Sequence, residues 1–283
     1  MNTTQKLIGV DMGATNVRAG LVIDGNVVAY AANKLPVTKG YDEVLDTIFA
    51  TIDQIYQNDV ISIGIGVPSV VERKSGVVYN VQNIPSWVEV PLKALLEGRY
   101  GKEAQVNNDA NCFALGEKIY GIGQSYQDFV GLAIGTGIGG GIISNGKLLR
   151  DVNCGAGEFG EMPYRDSKFE DYCSGVFFDK FYNTNAENIF NHAANGDHEA
   201  LNIVDEFAFH LGTLIKTIIC AVDPEAIIIG GSIAKAASLY NEKMQKVVNT
   251  FPYPRTIEKL TIKYSNLSEV QVLGAAALYL DNL

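Results

Sequence analysis

Two short segments rich in glycine are the parts of this chain whose residue types and spacing suggest chemistry. The first is Asp11-Met-Gly13-Ala-Thr15-Asn16, and the second runs from Gly135 to Gly141. Glycine lets a backbone approach a ligand closely, and exposed N–H groups with a threonine hydroxyl can cradle a phosphate. The carboxylate of Asp11 suits a water molecule bound to Mg²⁺. Each segment is therefore a candidate phosphate-binding turn, and for the first one an ordinary glycine hairpin is an equally good interpretation.

The second segment, Gly135-Thr136-Gly137-Ile-Gly139, also matches the glycine pattern of dinucleotide-binding proteins. Glu158 even lies about where those proteins carry an acid for the ribose. Their glycine turn must open a helix, however, whereas Ile142-Ile143 and the hairpin signal Asn145-Gly146 predict that a strand follows here. We therefore expect a glycine hairpin that faces a triphosphate, and this argues against a nicotinamide dehydrogenase.

The elements that position the first turn are predicted from apolar periodicity and turn signals. Residues 7–32 indicate an antiparallel meander, because Asp24-Gly25 separates two apolar runs. Residues 42–57 indicate an amphipathic helix, and residues 61–67 indicate a buried strand. Glycine and asparagine punctuate residues 68–87, so we expect a long irregular loop of the kind that holds ligands.

The second half of the chain repeats the order of strand, glycine turn and strand. Residues 109–120 predict a helix, and residues 129–134 predict the strand before the second turn. Two further helices are expected, over residues 199–221 and from about 233 to 250, with the buried strand Ala226–Ile229 between them. We expect an α/β fold with two lobes, because 283 residues are about twice the commonest domain length.

Composition argues against several classes of function. Apolar residues make up 47% of the chain and charged residues 19%, which is typical of folded proteins. The net charge of −10 repels polyanions, so we expect no nucleic-acid partner. A run of about eighteen apolar residues is missing, and the polar start resembles no signal peptide, so we expect a cytoplasmic protein without a membrane partner. The four cysteines form no CxxC pair, which argues against a disulfide framework.

The two glycine hairpins, with Ala226-Ile-Ile-Ile-Gly230-Gly231-Ser232 behind them, resemble the arrangement of the actin, hexokinase and Hsp70 superfamily. Further motifs sharpen the resemblance to the ROK family of sugar kinases and sugar-responsive repressors, and they follow that family's order along nearly the whole chain. These motifs are Asp11-x-Gly-x-Thr, Asn83-Ile-Pro-Ser-Trp87, Asn108-Asp109-Ala-Asn111, Gly135-Thr-Gly-x-Gly139, Gly157-Glu158-Phe-Gly160 and Val272-Leu-Gly-Ala-Ala. Each motif is weak singly, and together they are specific.

This resemblance implies a two-lobed actin-like ATPase fold, of the ribonuclease H-like type, with a central cleft. The small lobe is expected to contain residues 1–107 and about 269–283, and the large lobe residues 108–268. The family position of Asp109 is that of the catalytic base, and phosphoryl transfer does need a carboxylate that accepts the proton of a sugar hydroxyl. Aspartate also favours the N-cap of a helix, so Asp109 is a candidate for both roles.

The resemblance also implies the substrate contacts. The sugar-binding residues that it implies are Ser69, Asn83, Asn108, Asp109, Glu158, Glu161 and Glu170. The ATP-binding residues that it implies are Asp11, Gly13, Thr15, Asn16, Gly135, Thr136, Gly137, Gly139, Gly230 and Gly231. Asp11 is expected to hold Mg²⁺ through water, and Gly230-Gly231 is expected to lie near the adenosine.

One departure from the family concerns zinc. Most members carry a histidine, a cysteine cluster and a Leu-Glu pair after Gly-Glu-x-Gly, and these residues bind a structural zinc ion. This chain has Glu161 at the histidine position, a shortened segment up to Glu170, and only Cys173 after it. Carboxylates without thiolates make a poor zinc site, so we expect ATP and Mg²⁺ as cofactors and no zinc.

Packing is expected to hold the shortened loop in place of the ion. The expected anchors are aromatic, namely Tyr164, Phe169 and Tyr172. The histidines of the chain, His192, His198 and His210, lack ligand spacing, so we expect surface or packing roles for them.

The function that the resemblance implies is an ATP-dependent kinase for the C6 hydroxyl of a hexose, with glucose as the family's commonest acceptor. N-acetylmannosamine or N-acetylglucosamine is the alternative, because zinc-free members of similar length occur on that branch. A sugar-sensing regulator is a remote alternative. Only about six residues precede the first apolar strand, which leads into the first phosphate motif at Asp11, so we expect no helix-turn-helix head. Family membership also implies a homodimer.

Overall fold

The computed structural model of the protein describes residues 5–81, 83–150 and 152–281, and it divides into two compact units. The first unit consists of Met1–Ser125, Gly141–Ala156 and Leu267–Leu283, and the second of Tyr126–Gly140 and Gly157–Asn266. This division differs from the predicted boundary at residue 107, because the helix that follows this residue packs against the last helix of the chain. The first unit therefore draws on three separate segments of sequence.

Strands and helices are mixed along the chain, as expected for an α/β protein. The strands are β1 (Lys6–Met12), β2 (Asn16–Ile23), β3 (Asn26–Lys34), β4 (Ser62–Val67), β5 (Val70–Glu72), β6 (Val77–Tyr79), β7 (Glu89–Val90), β8 (Glu103–Asn108), β9 (Phe129–Ile134), β10 (Ile138–Ser144), β11 (Lys147–Leu148), β12 (Pro163–Tyr164), β13 (Ser167–Lys168), β14 (Ala226–Gly230) and β15 (Thr261–Tyr264). The helices are α1 (Tyr41–Asp53), α2 (Leu92–Tyr100), α3 (Asp109–Tyr120), α4 (Phe169–Cys173), α5 (Gly175–Tyr182), α6 (Ala186–Ala194), α7 (His198–Val222), α8 (Ala237–Val248), α9 (Pro254–Lys259) and α10 (Val270–Asp281). Short 3₁₀ turns lie at Ile122–Ser125, Phe159–Glu161 and Ile233–Ala236.

The first unit is built on a sheet with the strand order β3-β2-β1-β4-β8. β1, β2 and β3 form the predicted antiparallel meander, and Asp24-Gly25, both with positive φ, makes the turn between β2 and β3. β4 runs parallel to β1, and β8 runs parallel to β4. β1 and β4 are buried along nearly their whole length, as their apolar sequences predict. The carboxyl ends of β1, β4 and β8 therefore meet at one edge of the sheet, where open α/β sheets bind ligands.

Helix α10 contacts this sheet through its backbone. A Cβ atom on Gly64 of β4 would lie 1.7 Å from the carbonyl oxygen of Ala275, and one on Gly9 of β1 would lie 1.9 Å from a carbonyl oxygen one turn earlier in α10. A Cβ atom on Gly274 of α10 would likewise lie 1.7 Å from the carbonyl oxygen of Cys112 in α3. Only glycine allows backbones to approach this closely, so α10 lies against β1, β4 and α3 without side chains between them.

The segment from Pro68 to Trp87 is more regular than its sequence predicts. β5, β6 and β7 form a small antiparallel sheet with strands of two or three residues. The indole of Trp87 is buried, and its Nε1 donates to the carbonyl oxygen of Tyr41 at 3.4 Å. The prediction of one irregular loop is wrong here, because strands this short show no readable alternation of apolar and polar residues.

β14 is the central strand of the second unit and is buried along its whole length. β9 and β15 pair with it in parallel, and β10 follows β9 after the second glycine turn, within a sheet of the order β11-β10-β9-β14-β15. The predicted strands at residues 129–134 and 226–229 are confirmed, and a strand follows the glycine turn, as predicted. This order of elements excludes the dinucleotide-binding interpretation of the turn.

The helices of the second unit pack around this sheet. α7, with 25 residues, confirms the helix predicted over residues 199–221, and it packs against α8. The helix expected from about residue 233 begins as a 3₁₀ turn and becomes α8 only at Ala237. In the described part of the chain, no helix is both long enough and apolar enough to cross a membrane.

Replacing Gly64 with alanine tests the backbone contact between α10 and β4. The new methyl group must displace the main chain of α10, so we expect the free energy of unfolding of the first unit to fall by roughly 1–3 kcal/mol or more. Trp87 is the only tryptophan of the chain and is buried in this unit, so its fluorescence during urea unfolding measures the change.

Gly98→Ala is the matched control. Gly98 lies in α2. Apart from its chain neighbours and the backbone of its own helix, no heavy atom lies within 4 Å of a Cβ atom added there. Alanine should therefore stabilise this helix by up to about 1 kcal/mol. A Gly64→Ala protein that unfolds at the same urea concentration as the wild type would contradict the close contact.

Candidate active site

Three of the predicted site residues lie at the carboxyl edge of the first sheet. Asp11 is in β1 opposite Gly66 of β4, and Asn108 ends β8 opposite Val67. Ser69 follows β4 by two residues, and its carbonyl oxygen accepts a hydrogen bond from Asn108 Nδ2 at 3.3 Å. The parallel strands thus bring together polar side chains that are far apart in the sequence.

Asp109 is the first residue of α3, at the same edge. A Cβ atom on Gly66 would lie 3.4 Å from the Cα of Asp109 and 3.0 Å from the sulfur of Cys112, so this glycine lets the start of α3 lie on β4. The N-cap is Asn108, whose side chain accepts from the N–H of Ala110 at 2.8 Å, and the assignment of the cap to Asp109 is wrong. Asp109 Oδ1 lies 2.9 Å from the same nitrogen. The half-buried carboxylate therefore sits in the first turn, where the helix dipole favours negative charge.

Asp11 is the buried carboxylate of this edge, with 8% of its surface exposed. Burial raises the pKa of Asp11; the guanidinium of Arg18, 3.7 Å from Oδ2, opposes this shift, and the carboxylate of Glu269 adds to it. The upward shift indicates that Asp11 lacks full compensation for its negative charge. A buried carboxylate of this kind fits Mg²⁺, which prefers oxygen ligands.

The first glycine turn connects β1 to β2. The N–H of Gly13 donates to the carbonyl oxygen of Asn16 at 2.8 Å, which closes the turn. Asn16 Nδ2 donates to Thr15 Oγ1 at 2.9 Å, and both side chains are exposed. The amide therefore orients the Thr15 oxygen, and the hydroxyl proton of Thr15 remains available for an acceptor such as a phosphate oxygen.

Among the residues that the structure describes, Asn83 is not linked by hydrogen bonds to Ser69 or Asn108, two other predicted sugar-binding residues of the first unit. It is exposed in the turn between Val81 and Trp87, which closes through a bond from Val81 N–H to the Trp87 carbonyl oxygen at 3.1 Å. None of the hydrogen bonds among the described residues joins Asn83 to Ser69 or Asn108. Its predicted sugar contact therefore stays a prediction.

The second glycine turn lies between β9 and β10. Gly135 N–H donates to the carbonyl oxygen of Gly137 at 3.0 Å, and Thr136 is exposed at the tip of the turn. Gly230 ends β14, and Gly231 lies beside this turn, because a Cβ atom on Gly231 would lie 2.2 Å from the carbonyl oxygen of Ile134. The structure thus brings together two of the segments predicted to bind ATP.

Glu158 lies in a segment that contacts the start of β10. Gly157 has a φ of +89°, and a Cβ atom there would lie 2.0 Å from the carbonyl oxygen of Gly140. Glu158 itself is exposed at the entry to the short 3₁₀ turn that follows. Gly139, predicted as part of the phosphate turn, lies inside β10. The turn proper is therefore limited to residues 135–137.

Glu170 contacts the second glycine turn through one carboxylate oxygen. Its Oε2 accepts the N–H of Ile138 at 3.0 Å, and a Cβ atom on Gly137 would lie 2.5 Å from the same oxygen. Gly175 N–H donates to the carbonyl oxygen of Gly135 at 2.7 Å. The segment that carries Glu170 is therefore attached to the glycine turn at two points.

Lys168 is a residue of this site that the sequence reasoning missed. Its Nζ lies 2.5 Å from Glu161 Oε1 and 3.2 Å from Glu170 Oε1, so it bridges two predicted sugar-binding residues. The signal that could have found it is a lysine placed between these acids in the sequence. Glu161 is the more exposed of the two acids, with 56% of its side chain accessible against 25% for Glu170.

Comparison with known proteins identifies the family. A sequence model of the ROK family matches residues 7–282. The chain belongs to the ROK family. The crystal structure of a ROK family glucokinase from Streptomyces griseus, in complex with glucose and AMPPNP, superposes with a TM-score of 0.82 at 26% identity, covering 96% of this chain and 98% of that one. The fold is therefore the two-lobed actin-like ATPase fold of ROK kinases.

Two relatives of this chain differ in the sugar that their names give. The glucokinase of Thermotoga maritima is 30% identical over 98% of both chains. The N-acetyl-D-glucosamine kinase of Pectobacterium atrosepticum is 28% identical over 82% of this chain and 85% of its own length. Likeness of this degree indicates a sugar kinase and leaves the acceptor open between a hexose and an N-acetylhexosamine.

The side chains present do not fit the zinc ion found in many ROK proteins. Over residues 5–81, 83–150 and 152–281, no group of three or more His, Cys, Asp or Glu side chains is arranged to hold a metal ion. Cys173, the cysteine nearest the family's zinc motif, is completely buried in the core, and burial raises the pKa of its thiol well above the usual value. A buried protonated thiol is a poor ligand, because zinc binds the thiolate.

An aromatic cluster lies in the segment that follows Glu161. Tyr164 and Phe169 are stacked with ring centroids 4.2 Å apart, and Tyr172 meets Tyr164 edge to face at 5.3 Å. His210, which is fully buried, lies 5.0 Å from Tyr172, and its Nδ1 is 3.0 Å from the hydroxyl oxygen of Tyr164. The predicted anchoring by the three aromatic residues is confirmed, and His210 has the packing role.

The stability of the second unit should depend on the protonation of His210. Burial lowers the pKa of His210, the charge of Arg165 lowers it further, and Glu206 opposes both. The unfolded chain takes up this proton near pH 6.5 and the folded chain does not, so the free energy of unfolding falls as the pH drops below about 6.5. Urea unfolding followed by tyrosine near-ultraviolet circular dichroism, at about pH 7.5 and about pH 5.5, measures the loss.

His210→Phe is the control, because it keeps an aromatic ring and removes the titrating group. Its free energy of unfolding should fall less between the two pH values than that of the wild type. The difference has a ceiling of about 1.4 kcal/mol per pH unit for one proton. Equal losses in the two proteins would contradict a neutral buried histidine.

Proposed function

We propose that this ROK family sugar kinase transfers the γ-phosphoryl group of ATP to the C6 hydroxyl of a hexose, with glucose as its main acceptor. The observation that carries the proposal is the half-buried carboxylate of Asp109, held in the first turn of α3 beside Asn108. Phosphoryl transfer needs such a group to take the proton of the attacking hydroxyl. The relatives named glucokinase support the reaction.

On the acceptor side, Asp109 accepts the proton of the C6 hydroxyl while its oxygen attacks the γ-phosphorus. The new bond joins that oxygen to phosphorus, and the bond from phosphorus to the β-phosphate oxygen breaks, so ADP leaves with the electron pair. Asn108 holds this region in place, because its side chain both caps α3 and donates to Ser69. The remaining sugar hydroxyls are assigned to Asn83, Glu158 and Glu170, because amide and carboxylate oxygens accept hydrogen bonds from hydroxyl groups.

On the donor side, the N–H groups and threonine hydroxyls of the two glycine turns receive the phosphates, and Gly230-Gly231 receives the adenosine. Thr15 and Thr136 are exposed at the tips of these turns, as this role requires. Asp11 would hold Mg²⁺ through water, and the ion when bound neutralises charge on the phosphates. A cation beside Asp11 would also keep this buried carboxylate ionised.

Further parts of the proposal draw on the resemblance to ROK kinases. They are a cytoplasmic location, a homodimer, and Mg²⁺ as the ion that accompanies ATP. The proposal that the protein binds no zinc rests instead on the side chains around Glu161, because Lys168 lies beside this carboxylate. An ammonium group in that place repels a divalent cation.

An N-acetylhexosamine, N-acetylmannosamine or N-acetylglucosamine, is the second candidate acceptor. The likeness to the Pectobacterium atrosepticum N-acetyl-D-glucosamine kinase favours it. The two classes of sugar differ at C2, where one carries a hydroxyl and the other a larger acetamido group. The acceptor therefore depends on the space beside C2, and a comparison of sugars measures that space directly.

The first test of this function is an acceptor panel. With Mg²⁺–ATP and no added zinc, we expect kcat/KM to be highest for glucose among glucose, fructose, allose, mannose and the N-acetylhexosamines, measured by coupled ADP release. A glucose analogue without the C6 hydroxyl is the control and should give no phosphorylated product. A higher kcat/KM for N-acetylmannosamine or N-acetylglucosamine would replace glucose as the acceptor, and no turnover of any sugar would contradict the kinase proposal.

Asp109→Asn tests the general base. Because the amide cannot accept the hydroxyl proton, kcat should fall by about 10²–10⁴-fold, while glucose affinity and the Trp87 unfolding curve stay close to those of the wild type. Asp42→Asn is the matched control, since Asp42 is also a first-turn carboxylate, in α1 of the same unit. Retention of more than about a tenth of kcat by Asp109→Asn would show that another group is the base.

A further inference from the structure

In the second unit, the two carboxylate oxygens of Glu170 have different partners. Oε2 accepts the N–H of Ile138 at the end of the glycine turn, at 3.0 Å, and Oε1 lies 3.2 Å from Lys168 Nζ. A carboxylate bound at both oxygens cannot rotate without losing a hydrogen bond. The plane of this group is therefore fixed, and its remaining lone pairs point in set directions.

Lys168 is itself held from the other side. Its Nζ lies 2.5 Å from Glu161 Oε1, so one ammonium group links two carboxylates. The hydrogen bond to Glu161 raises the pKa of Lys168, partial burial lowers it, and the bond to Glu170 raises it again, with a net upward shift. Lys168 is therefore charged at neutral pH and attracts both acids.

The backbone at Lys168 is fixed by its surroundings. Lys168 ends β13, which pairs with β12 through Pro163, and the next residue, Phe169, stacks on Tyr164 at 4.2 Å. The ammonium group thus extends from a packed hairpin. Because the Lys168 and Glu161 side chains are 33% and 56% exposed, their ion pair contributes little to folding stability. Orientation of Glu170 is the effect that such a bridge can have.

We propose that Lys168 is a positioning residue for the acceptor sugar, which fixes Glu170 Oε1 while the Ile138 N–H fixes Oε2. In this arrangement Glu161 acts on the sugar through Lys168, and not by direct contact. The inference rests on the proposed role of Glu170 in binding the sugar. The ammonium group of Lys168 thus orients the Glu170 carboxylate from one side, and the glycine turn holds it from the other side through Ile138.

Lys168→Met tests the inference, since it removes the ammonium group and keeps a side chain of similar length. Glu170 retains its bond to Ile138, so the glycine turn stays in place and the KM for ATP should change by less than about twofold. The KM for glucose should rise about tenfold, which corresponds to the loss of one hydrogen bond between charged groups. Lys168→Arg, which keeps a cationic donor, should recover most of the affinity.

Lys180→Met is the matched control. Lys180 forms an ion pair of similar geometry with Asp171, 2.8 Å long, in the same part of the second unit. Its loss should leave the KM for glucose unchanged. Glu161→Gln should raise this KM modestly, and the double variant Glu161→Gln/Lys168→Met should be no worse than Lys168→Met, because both changes act on one bridge.

The outcomes separate this inference from the proposed function. An unchanged KM for glucose in Lys168→Met, an equal rise in the KM for ATP, or a similar effect of Lys180→Met overturns the role of Lys168. Additive effects of Glu161→Gln and Lys168→Met overturn the indirect role of Glu161. If the wild type binds glucose without phosphorylating it, the proposed function fails, and calorimetric glucose affinities of the same variants decide the role of Lys168. A wild type that binds no sugar of the panel overturns both.

Discussion

Direct contact between main chains is the constraint on which the first unit depends. α10 lies against β1, β4 and α3 with no side chains between the backbones, because Gly9, Gly64 and Gly274 leave the space. This contact fixes how closely α3 approaches the sheet. Gly66 continues the same packing at the carboxyl edge, where the first turn of α3 meets β4. The position of Asp109 relative to the end of β1 is therefore a consequence of glycine residues that touch no substrate.

The second unit positions its glycine turn by other means. Two hydrogen bonds hold this turn: Glu170 accepts from the N–H of Ile138, and the N–H of Gly175 donates to the carbonyl oxygen of Gly135. The segment that carries these groups is held by an aromatic cluster and by the Lys168 bridge. Backbone packing tolerates almost no substitution, whereas side-chain bridges can be exchanged for other bridges. Among the described residues, the segment after residue 160 is thus attached to the glycine turn by hydrogen bonds, without the donor set of a zinc ion.

Much of the fold was predictable, because its main elements are long and periodic. The meander of β1 to β3, helix α3 and the buried strand β14 follow directly from apolar patterns and turn residues. The short elements were not predictable: β5 to β7, the hairpin β12–β13 and helices α4 to α6 are too brief, or too irregular in their apolar spacing, to give a clear period. Tertiary packing decides their structure.

The candidate site was predictable in residue type and only partly in arrangement. Asn108 and Asp109 were identified by their motif, yet which of them caps α3 depends on one backbone angle that the sequence does not reveal. Lys168 was missed because its importance lies in two distances, to Glu161 and Glu170, and distances between loop residues come only from the folded chain. A sequence motif identifies the residues proposed to react, and it does not identify the residues that position them.

The discontinuity of the first unit has a consequence for biosynthesis. α10 covers Gly9 and Gly64, yet it follows the whole of the second unit along the chain. Domains generally fold as units, earlier segments first, while the ribosome is still adding residues. One face of the sheet formed by β1 to β4 therefore stays uncovered until α10 has left the ribosome. The second unit can fold completely during that interval, so its glycine turn at Gly135 can form before α10 completes the first unit.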